Sequence, residues 1–330
     1  MGTFISGFIL IPIIGVDAII IIISIMLVIL SVILYENKNW KYFLKIAGII
    51  LLMIAFTIYG KHLFEKANPE IVRDVDSEYS RIWVKEITAN NNDYKTLQVD
   101  TGLESYIDTK TAEMGAKYLY YYDLFEYYNK EANNILLIGG AGYTYPIHFL
   151  NKFPNKNIDV VEIDKKMTEL AVSEFGLDIN NPKLNIHHQD GRSFLNYSNN
   201  QYDVILLDAF KGLNAPFELT TYEAMQKACN NLTDNGMIIT TVISSLEGEN
   251  SDMIGYEYST YKAVFDDVKI FKVRENSNNT QKQNLILVGI KGNTNINNEV
   301  FKNYIDLLGN EVEEFNTSKE VITDNFAPIY

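Results

Sequence analysis

Two long apolar blocks dominate the start of the chain. Residues 4–34 are almost entirely apolar, and a second apolar block at 43–59 follows after a short polar interval. A helix that crosses a membrane needs about 20 apolar residues. We therefore predict two transmembrane helices, at about 18–35 and 43–60, which would make the chain a multi-pass membrane protein.

The first apolar block is too long for one straight span and too short for two. Asp17 lies inside it, shortly after Pro12 and Gly15, so residues 4–16 are expected to form an interfacial or kinked lead-in. Acids inside a membrane are often functional, but Asp17 is expected near an interface. A cleaved signal peptide fits less well, because no basic region precedes the block and a second apolar block follows.

After Pro69 the pattern changes to short stretches that mix polar and apolar residues. Asn-rich turns separate three predicted strands, at 80–87, 94–100 and 104–108. This pattern is typical of a small antiparallel β-unit. A helix rich in tyrosine is predicted from Ala112 to Tyr128. Its tyrosines are expected to pack on a sheet, with the lining of an acceptor pocket as the alternative: Tyr118, Tyr120, Tyr121 and Tyr122.

From residue 135 onward, strand-length apolar runs alternate with helix-length segments. The predicted strands are 135–138, 158–163, 184–188, 203–207, 236–243, 268–273 and 284–290. The predicted helices are 144–152, 165–175, 191–196, 220–231 and 254–265. Alternation of this kind predicts a doubly wound, Rossmann-like α/β sheet that binds ligands at the carboxyl ends of its strands.

The first of these strands ends in a glycine-rich turn. Its glycines are Gly139, Gly140 and Gly142. The next strand carries Glu162, about 20 residues beyond the glycines, which is the layout of a nucleotide-binding βαβ unit. The turn is not a complete GxGxxG motif, because Tyr145 occupies the last position. The layout predicts a nucleoside site in which Glu162 holds ribose hydroxyls.

Acidic residues stand at the ends of three consecutive predicted strands. Glu162 ends the second strand, and Asp208 ends the fourth. Asp190, with Gly191 beside it, follows the third. In a parallel sheet these positions share the edge that carries the ligand crevice. Asp190 would accept from the exocyclic amine of an adenine, and Asp208 would face the reacting group. The competing explanation is that strand-end acids cap the helices that follow them.

Composition narrows the choice of partners. The formal net charge of −14 argues against nucleic acid, and we interpret the acidity mainly as a source of solubility. The single cysteine, Cys229, fits a helical core position and excludes an intrachain disulfide. The four histidines show no metal-ligand spacing, so the sequence predicts neither a metal site nor a permanently bound cofactor.

Four short blocks, in their order and spacing, resemble the spermidine synthase (polyamine aminopropyltransferase) family. The blocks are LLIGGAG at 136–142, VVEID at 160–164, HQDGRSFL at 188–195 and YDVILLDAF at 202–210. The resemblance covers about residues 79–330 and is strongest to the membrane-linked branch, whose members look like transporter-like helices fused to a spermidine synthase. The closing ITDNFAPI at 322–329 is similar to the tail of that branch.

The resemblance implies a membrane-anchored transferase with decarboxylated S-adenosylmethionine, or S-adenosylmethionine itself, as co-substrate. Glu162 would hold the ribose of this donor, and Asp190 with Gly191 its adenine. Asp208 would be the general base that takes a proton from an acceptor amine, which then attacks a carbon next to the sulfonium. The implied partners are a small-molecule amine or another small acceptor, the membrane and, as in the family, a second copy of the chain in a homodimer.

Three positions depart from the family's pattern. Lys211 stands where a second acid would grip a diamine, and Gly142 stands where an acid would contact the side chain of the donor. Glu104 replaces a glutamine of the β-domain, and the acids near enough to compensate are Glu104, Asp108 and Asp123. Two alternatives therefore stay open: an S-adenosylmethionine-dependent methyltransferase acting on another small acceptor, and a non-catalytic nucleoside-binding domain.

The predictions combine into three segments of the chain. A membrane anchor at 1–66 precedes a small β-domain with a Tyr-rich helix at 67–130, and a methyltransferase-type, Rossmann-like transferase domain occupies 131–330. Three lysines between the spans against two after them slightly favour an external C-terminal domain. Sulfonium nucleosides are made and kept in the cytosol, however, so we expect the catalytic domain to be cytoplasmic.

Overall fold

The described residues of the computed structural model are 10–34, 40–100, 102–209, 216–294 and 296–328. They belong to two units, Met1–Leu103 and Glu104–Tyr330. The elements of the first unit are α1 (Ile11–Leu34), α2 (Trp40–Ala67), β1 (Ile71–Asp76), β2 (Arg81–Ala89) and β3 (Asn92–Val99). The strand β4 (Gly102–Asp108) begins in the first unit and continues in the second.

The two apolar blocks form the helices α1 and α2. Both are long and apolar enough to cross a membrane, and neither is buried in its apolar part. Gly15 has a φ of 76° inside α1, so the chain bends where the sequence predicts a kinked lead-in. The portion of that lead-in before residue 10 lies outside the described residues. Just beyond the bend, the Val16 main-chain nitrogen donates to a carboxylate oxygen of Asp76 at 2.9 Å.

The strands that follow the helices form a sheet in the order β1-β2-β3-β4. β2 and β3 agree with the sequence prediction because their alternation buries one face, including Ile82, Val84 and Leu97 at 0% exposure. The strand β1 is absent from the sequence prediction. Its sequence, IVRDVD, has Arg73 and Asp74 at its centre, and three of its six residues are exposed. It therefore lacks the apolar alternation that identifies a strand.

The second unit contains most of the predicted α/β alternation. After β4, its elements are 3₁₀ turns at Lys117–Leu124, α3 (Phe125–Tyr128), β5 (Asn134–Ile138), α4 (Thr144–Lys152), β6 (Asn157–Val161), α5 (Lys165–Leu170), β7 (Leu184–His187), α6 (Gly191–Tyr197), β8 (Tyr202–Leu207), a 3₁₀ turn at Phe217–Leu219, α7 (Tyr222–Asn230), β9 (Leu232–Ser244), α8 (Asp252–Lys262), β10 (Asp267–Lys272), β11 (Gln283–Ile290) and α9 (Phe301–Leu308).

A seven-stranded sheet forms the centre of this unit, in the order β10-β11-β9-β8-β5-β6-β7. The strands from β9 to β7 in that order run parallel to their neighbours, and β11 and β10 are antiparallel. Apolar residues cover both faces, since Ile135 and Leu137 of β5 join one buried cluster and Leu136 and Ile138 join the other. The predicted Rossmann-like sheet preceded by a small β-unit is therefore present.

Two helices differ from the prediction in their extent, and a third helix is not predicted. Residues 112–116 are not helical, because Met114 bridges to Ile107 of β4 and the Gly115 nitrogen donates to the Tyr106 oxygen at 3.0 Å. The predicted helix 165–175 ends as α5 at Leu170 and continues as one wider π-helical turn. α9 is absent from the sequence prediction, although its apolar positions pack against the sheet through Tyr304, which is 3% exposed.

Candidate active site

The order in which the chain adds parallel strands to the sheet reverses between β5 and β8. From β5 the chain proceeds through β6 to β7 on one side, and it then crosses to β8 on the other side of β5. Ligands of such sheets bind in the crevice at the carboxyl ends of the strands where the order reverses. The glycine turn follows β5 and Asp208 follows β8, so the structure brings both to this position. The Asp208 main-chain nitrogen donates to the Ile138 oxygen at 2.9 Å.

The three glycines of the turn are each required by a close neighbour. Gly139 has a φ of 98°, and a Cβ there would lie 2.3 Å from the main-chain oxygen of Asp208. A Cβ on Gly140 would lie 2.7 Å from the ring of Tyr143, and one on Gly142 would lie 2.7 Å from the Cβ of Ser105. The main-chain amides of the turn are bonded within the protein, that of Gly139 to the Val161 oxygen and those of the other turn residues to Glu162 and Ser105. Contact of the turn with a nucleoside stays a prediction.

Glu162 binds the glycine turn directly. Its Oε2 atom accepts from the Gly140 nitrogen at 2.8 Å and the Ala141 nitrogen at 3.0 Å. Its Oε1 atom accepts from the Asp164 nitrogen at 2.9 Å. Burial raises the pKa of Glu162, and these three amide donors oppose the shift. A carboxylate has about four acceptor positions, so one remains for the predicted bond to a ribose hydroxyl.

Asp190 and Gly191 lie at the same edge of the sheet, next to the end of β5. A Cβ on Gly191 would lie 2.6 Å from the Cγ2 atom of Ile138. Asp190 is exposed, and its Oδ1 atom accepts from the Ser193 nitrogen at 2.7 Å as the N-cap of α6. The helix-capping role that the sequence left open is therefore present. A contact with adenine would use the remaining acceptor positions of this exposed carboxylate.

Asp208 has the most unusual environment of the predicted site residues. The Tyr118 hydroxyl donates to its Oδ2 atom at 3.3 Å. Its Oδ1 atom is buried and has no hydrogen-bond partner among the described residues. Burial raises the pKa of Asp208 to about 7; the hydroxyls of Tyr122 and Tyr118 oppose this shift, and the charge of Glu104 adds to it. A carboxyl group with a pKa near neutrality can exchange protons at physiological pH.

A small cavity opens beside Asp208. It has a volume of about 30 Å³, which is enough for roughly one water molecule. Its lining residues are Glu104, Ser105, Tyr118, Leu119, Leu137, Gly139, Gly140, Ala141, Thr144, Tyr145, Pro146 and Asp208. No lysine or arginine is among them. Lys211 and the rest of 210–215 lie outside the described residues, so the predicted effect of Lys211 on an acceptor is not tested.

Of the three acids considered as compensating groups, only Glu104 lines this cavity. Asp108 accepts from the main-chain nitrogens of Lys110 and Thr111 at 2.8 and 3.0 Å, and these bonds lower its pKa. Asp123 is 1% exposed and is fully engaged by structural partners. These partners are the Tyr145 hydroxyl at 3.1 Å, the His148 Nε2 atom at 2.8 Å and the Lys152 Nζ atom at 2.9 Å.

The tyrosines before α3 divide between core and site. Tyr121 and Tyr122 pack in the core, as expected, with their hydroxyls bonded to the Lys272 oxygen and to Thr241. Tyr118 instead reaches Asp208, and Ser105 reaches the glycine turn by accepting from the Gly142 nitrogen at 3.0 Å. From the sequence, Ser105 has no predicted site role, and Tyr118 is predicted to pack in the core. Both contacts join residues that are far apart in the chain, so the local sequence pattern does not indicate them.

The fold and the site define a class of protein. A doubly wound sheet with a glycine turn at its switch point, a Glu after the next strand and a partly buried acid opposite is the arrangement of Rossmann-like, methyltransferase-type α/β domains. Among the residues that the structure describes, no group of three or more His, Cys, Asp or Glu side chains could hold a metal ion.

Comparisons with known proteins identify the family within this class. The family model of the spermine/spermidine synthase domain matches residues 124–303, which is more than half of the chain. The protein belongs to the spermine/spermidine synthase domain family, and the family predicted from the sequence is thus confirmed. The match begins within the 3₁₀ turns, so it does not include α1, α2 or the four-stranded sheet.

The curated relatives are named as polyamine aminopropyltransferases. A polyamine aminopropyltransferase of Vibrio vulnificus (strain CMCP6) is 28% identical over 155 residues, which cover 46% of this chain and 50% of the relative. A probable polyamine aminopropyl transferase of Bifidobacterium longum (strain NCC 2705) is 31% identical over 120 residues, or 36% of this chain and 26% of the relative. The chain thus spans about half or less of the length of these relatives. By their names, these relatives are transferases.

Solved structures share the fold at low identity. A probable spermidine synthase from Corynebacterium glutamicum ATCC 13032 has a TM-score of 0.64 at 18% identity, covering 79% of this chain and 99% of that one. A spermidine synthase in complex with the transition state analogue AdoDATO has a TM-score of 0.59 at 14% identity, covering 78% and 83% of the two chains. These similarities confirm the predicted fold class.

Proposed function

We propose that the protein is a membrane-anchored transferase that moves the aminopropyl group of decarboxylated S-adenosylmethionine to an amine. The main support for this proposal is the environment of the Asp208 carboxyl group. This group lies at the switch point of the sheet with a buried oxygen that lacks a hydrogen-bond partner among the described residues. The names of the curated relatives support the same reaction.

The donor would lie along the carboxyl edge of the parallel strands. Its ribose would use the acceptor position that the main-chain amides leave on Glu162, and its adenine would lie near Asp190 and Gly191. The glycine turn would approach the sugar and the sulfonium without side chains in the way. This placement would bring the carbon next to the sulfonium towards Asp208 at the end of β8.

The reaction would be a displacement at that carbon. The lone pair of the acceptor nitrogen forms the new C–N bond as the C–S bond breaks, and the electrons of the broken bond remain on sulfur as methylthioadenosine. The proton lost by the nitrogen passes to Asp208, whose pKa of about 7 suits a base near neutral pH. The Tyr118 hydroxyl, bonded to Oδ2, would hold the carboxylate so that Oδ1 faces the amine. Alignment of the two reactants would supply much of the remaining acceleration.

The proposal is tested with the full chain in detergent or in native membranes. Decarboxylated S-adenosylmethionine is supplied with a panel of diamines and monoamines, and the products are identified by mass spectrometry. We expect methylthioadenosine and an aminopropylated amine in equal amounts. The Asp208→Asn variant should form both at a rate about 10²–10⁴-fold lower. No turnover with any amine, or an Asn variant as active as the parent, would contradict the proposal.

Methyl transfer from S-adenosylmethionine is the second candidate. The observation in its favour is Gly142, where the glycine turn offers no carboxylate to the side chain of a donor. The same assay separates the two reactions when S-adenosylmethionine replaces the decarboxylated donor. A methylated product and S-adenosylhomocysteine would assign the protein to methyl transfer.

We also infer that α1 and α2 cross a membrane and hold the catalytic unit on its cytosolic side. Their length and composition support the crossing, and the cytosolic supply of sulfonium nucleosides supports the orientation. A reporter fused after Tyr330 should be inaccessible to an impermeant label in intact cells. Labelling of that reporter from outside would refute the orientation.

A further inference from the structure

The glycine turn has no room for a side chain at its last position. A Cβ on Gly142 would lie 2.7 Å from the Cβ of Ser105 and 3.0 Å from its Oγ atom. The same Oγ atom accepts from the Gly142 nitrogen at 3.0 Å, and Ser105 is 5% exposed. Ser105 of β4 thus occupies the space that a side chain at position 142 would need. Any side chain at position 142 would therefore require Ser105 or the turn to shift.

A carboxylate nevertheless reaches the same cavity from the neighbouring position of β4. Glu104 directly precedes Ser105 on β4, and both residues line the cavity. Glu104 is half-buried and lines the cavity together with Gly139, Gly140 and Asp208. Among the described residues, its carboxylate has no salt-bridge partner and accepts no hydrogen bond.

The electrostatic cost of this arrangement is high without a ligand. Burial and the nearby charge of Glu162 raise the pKa of Glu104 to about 7. Glu104 in turn raises the pKa of Asp208, whose buried Oδ1 atom has no hydrogen-bond partner in the described part of the chain. Carboxylates that crowd together in a partly buried space are stabilised when a cation enters between them. The cavity therefore suits a ligand that brings positive charge and N–H donors.

We propose that Glu104 binds the ammonium group at the end of the donor's aminopropyl chain and thereby selects decarboxylated S-adenosylmethionine over S-adenosylmethionine. The inference rests on the proposed function. In the decarboxylated donor the chain beyond the sulfonium ends in an ammonium alone. In S-adenosylmethionine the same chain also carries a carboxylate, which Glu104 would repel. The carboxylate that the turn does not carry is thus supplied from the strand beside it.

Calorimetric titration of the full chain in detergent micelles at pH 8 tests the inference. The three ligands are decarboxylated S-adenosylmethionine, S-adenosylmethionine and methylthioadenosine, which lacks the aminopropyl chain. The variant is Glu104→Gln, which keeps the shape of the side chain. The matched control is Glu131→Gln, because Glu131 is exposed, precedes β5 at the opposite edge of the sheet and removes the same single charge.

We expect Glu104→Gln to weaken binding of the decarboxylated donor about tenfold to a hundredfold, the range for a hydrogen bond to a charged group. Methylthioadenosine should bind the variant within about twofold of the parent, which also reports that the nucleoside site is folded. Binding of S-adenosylmethionine should be unchanged or tighter, and Glu131→Gln should alter none of the three affinities.

Two results would overturn the inference and leave the proposed function standing. One is an equal loss for all three ligands in Glu104→Gln, which would assign Glu104 a structural role. The other is an unchanged affinity for the decarboxylated donor. Failure of the parent protein to bind any of the three ligands would instead overturn the proposed function, and this inference with it.

Discussion

Replacing Gly139 with alanine would press a methyl group against the main chain of Asp208. The new Cβ would lie 2.3 Å from the Asp208 oxygen and 2.7 Å from its carbonyl carbon, whereas real Cβ contacts stay beyond 3.0 Å. The opposing atoms are backbone, so no side-chain rotation can relieve the contact. The strands β5 and β8 would have to part at the point where they carry the glycine turn and Asp208.

Gly176 provides the matched control for this substitution. Its φ of 80° is also in the left-handed region, but a Cβ there would meet nothing within 4 Å. Gly176→Ala should therefore cost only the left-handed strain of an alanine, about 1–2 kcal/mol. Gly139→Ala should cost the same strain and, in addition, about 1–3 kcal/mol for overpacking. The difference corresponds to a further fall of roughly 2–4 °C in Tm per kcal/mol.

The assay compares thermal unfolding, followed by circular dichroism at one heating rate, with the rate of methylthioadenosine release. Gly139→Ala should have the lower Tm and should lose about a hundredfold in turnover, because a displacement near 1 Å at a reacting group has a cost of that size. Gly176→Ala should keep the turnover of the parent. Equal values of Tm and turnover for the two variants would refute the close approach of β5 and β8 on which the site depends.

Three further substitutions have distinct expected outcomes. Tyr118→Phe removes a hydrogen bond that stabilises the charged form of Asp208 and should therefore raise the pKa of Asp208. The midpoint of the rise of kcat/KM with pH, near pH 7 in the parent, should shift to higher pH by up to about one unit. An unchanged midpoint would refute the contact. Glu257 is 2% exposed, and burial raises its pKa to about 8. The stability that its neutral carboxyl group provides is complete below the ordinary pKa of about 4.5 and is lost as pH rises through about 8. Tm should therefore fall less between pH 6 and 9 in Glu257→Gln than in the parent, and parallel curves would contradict this. Asp123→Asn should lower the free energy of unfolding by about 2–4 kcal/mol, because Lys152 and its other donors lose a buried anion, while leaving KM for the amine unchanged; a raised KM would place Asp123 in the acceptor site.

The central strands of the second unit are predictable because both of their faces are apolar. β5 and β8 are continuous apolar runs bounded by polar turns, and burial on both sides of a parallel sheet requires that pattern. The order of glycine turn and acids along the chain then gave the edge of the sheet on which Glu162 and Asp208 meet. β1 is not predictable because its apolar positions are few. α9 has apolar residues at helical spacing, among them Phe301, Tyr304 and Leu308, so its sequence does contain a helical signal that the prediction omits.

The details of the site could not be predicted from local pattern. Nothing in the sequence indicates that Ser105 fills the space beside Gly142 or that Tyr118 reaches Asp208, since each pair is joined only by the fold. The hydrogen bonds of Glu162 to the glycine turn are not predictable either, because an acid at a strand end looks the same in the sequence whether it binds amides or a ribose. Asp190 illustrates the same ambiguity, with its helix-capping bond present in the structure.

A doubly labelled donor distinguishes aminopropyl transfer from methyl transfer in a single reaction. Decarboxylated S-adenosylmethionine would carry one isotope in its methyl group and another in its aminopropyl chain, and the full chain would be supplied with the amine that gives the fastest turnover. We expect the aminopropyl label to appear in the amine product while the methyl label remains in methylthioadenosine. Appearance of the methyl label in the amine product, or of neither label, would contradict this expectation.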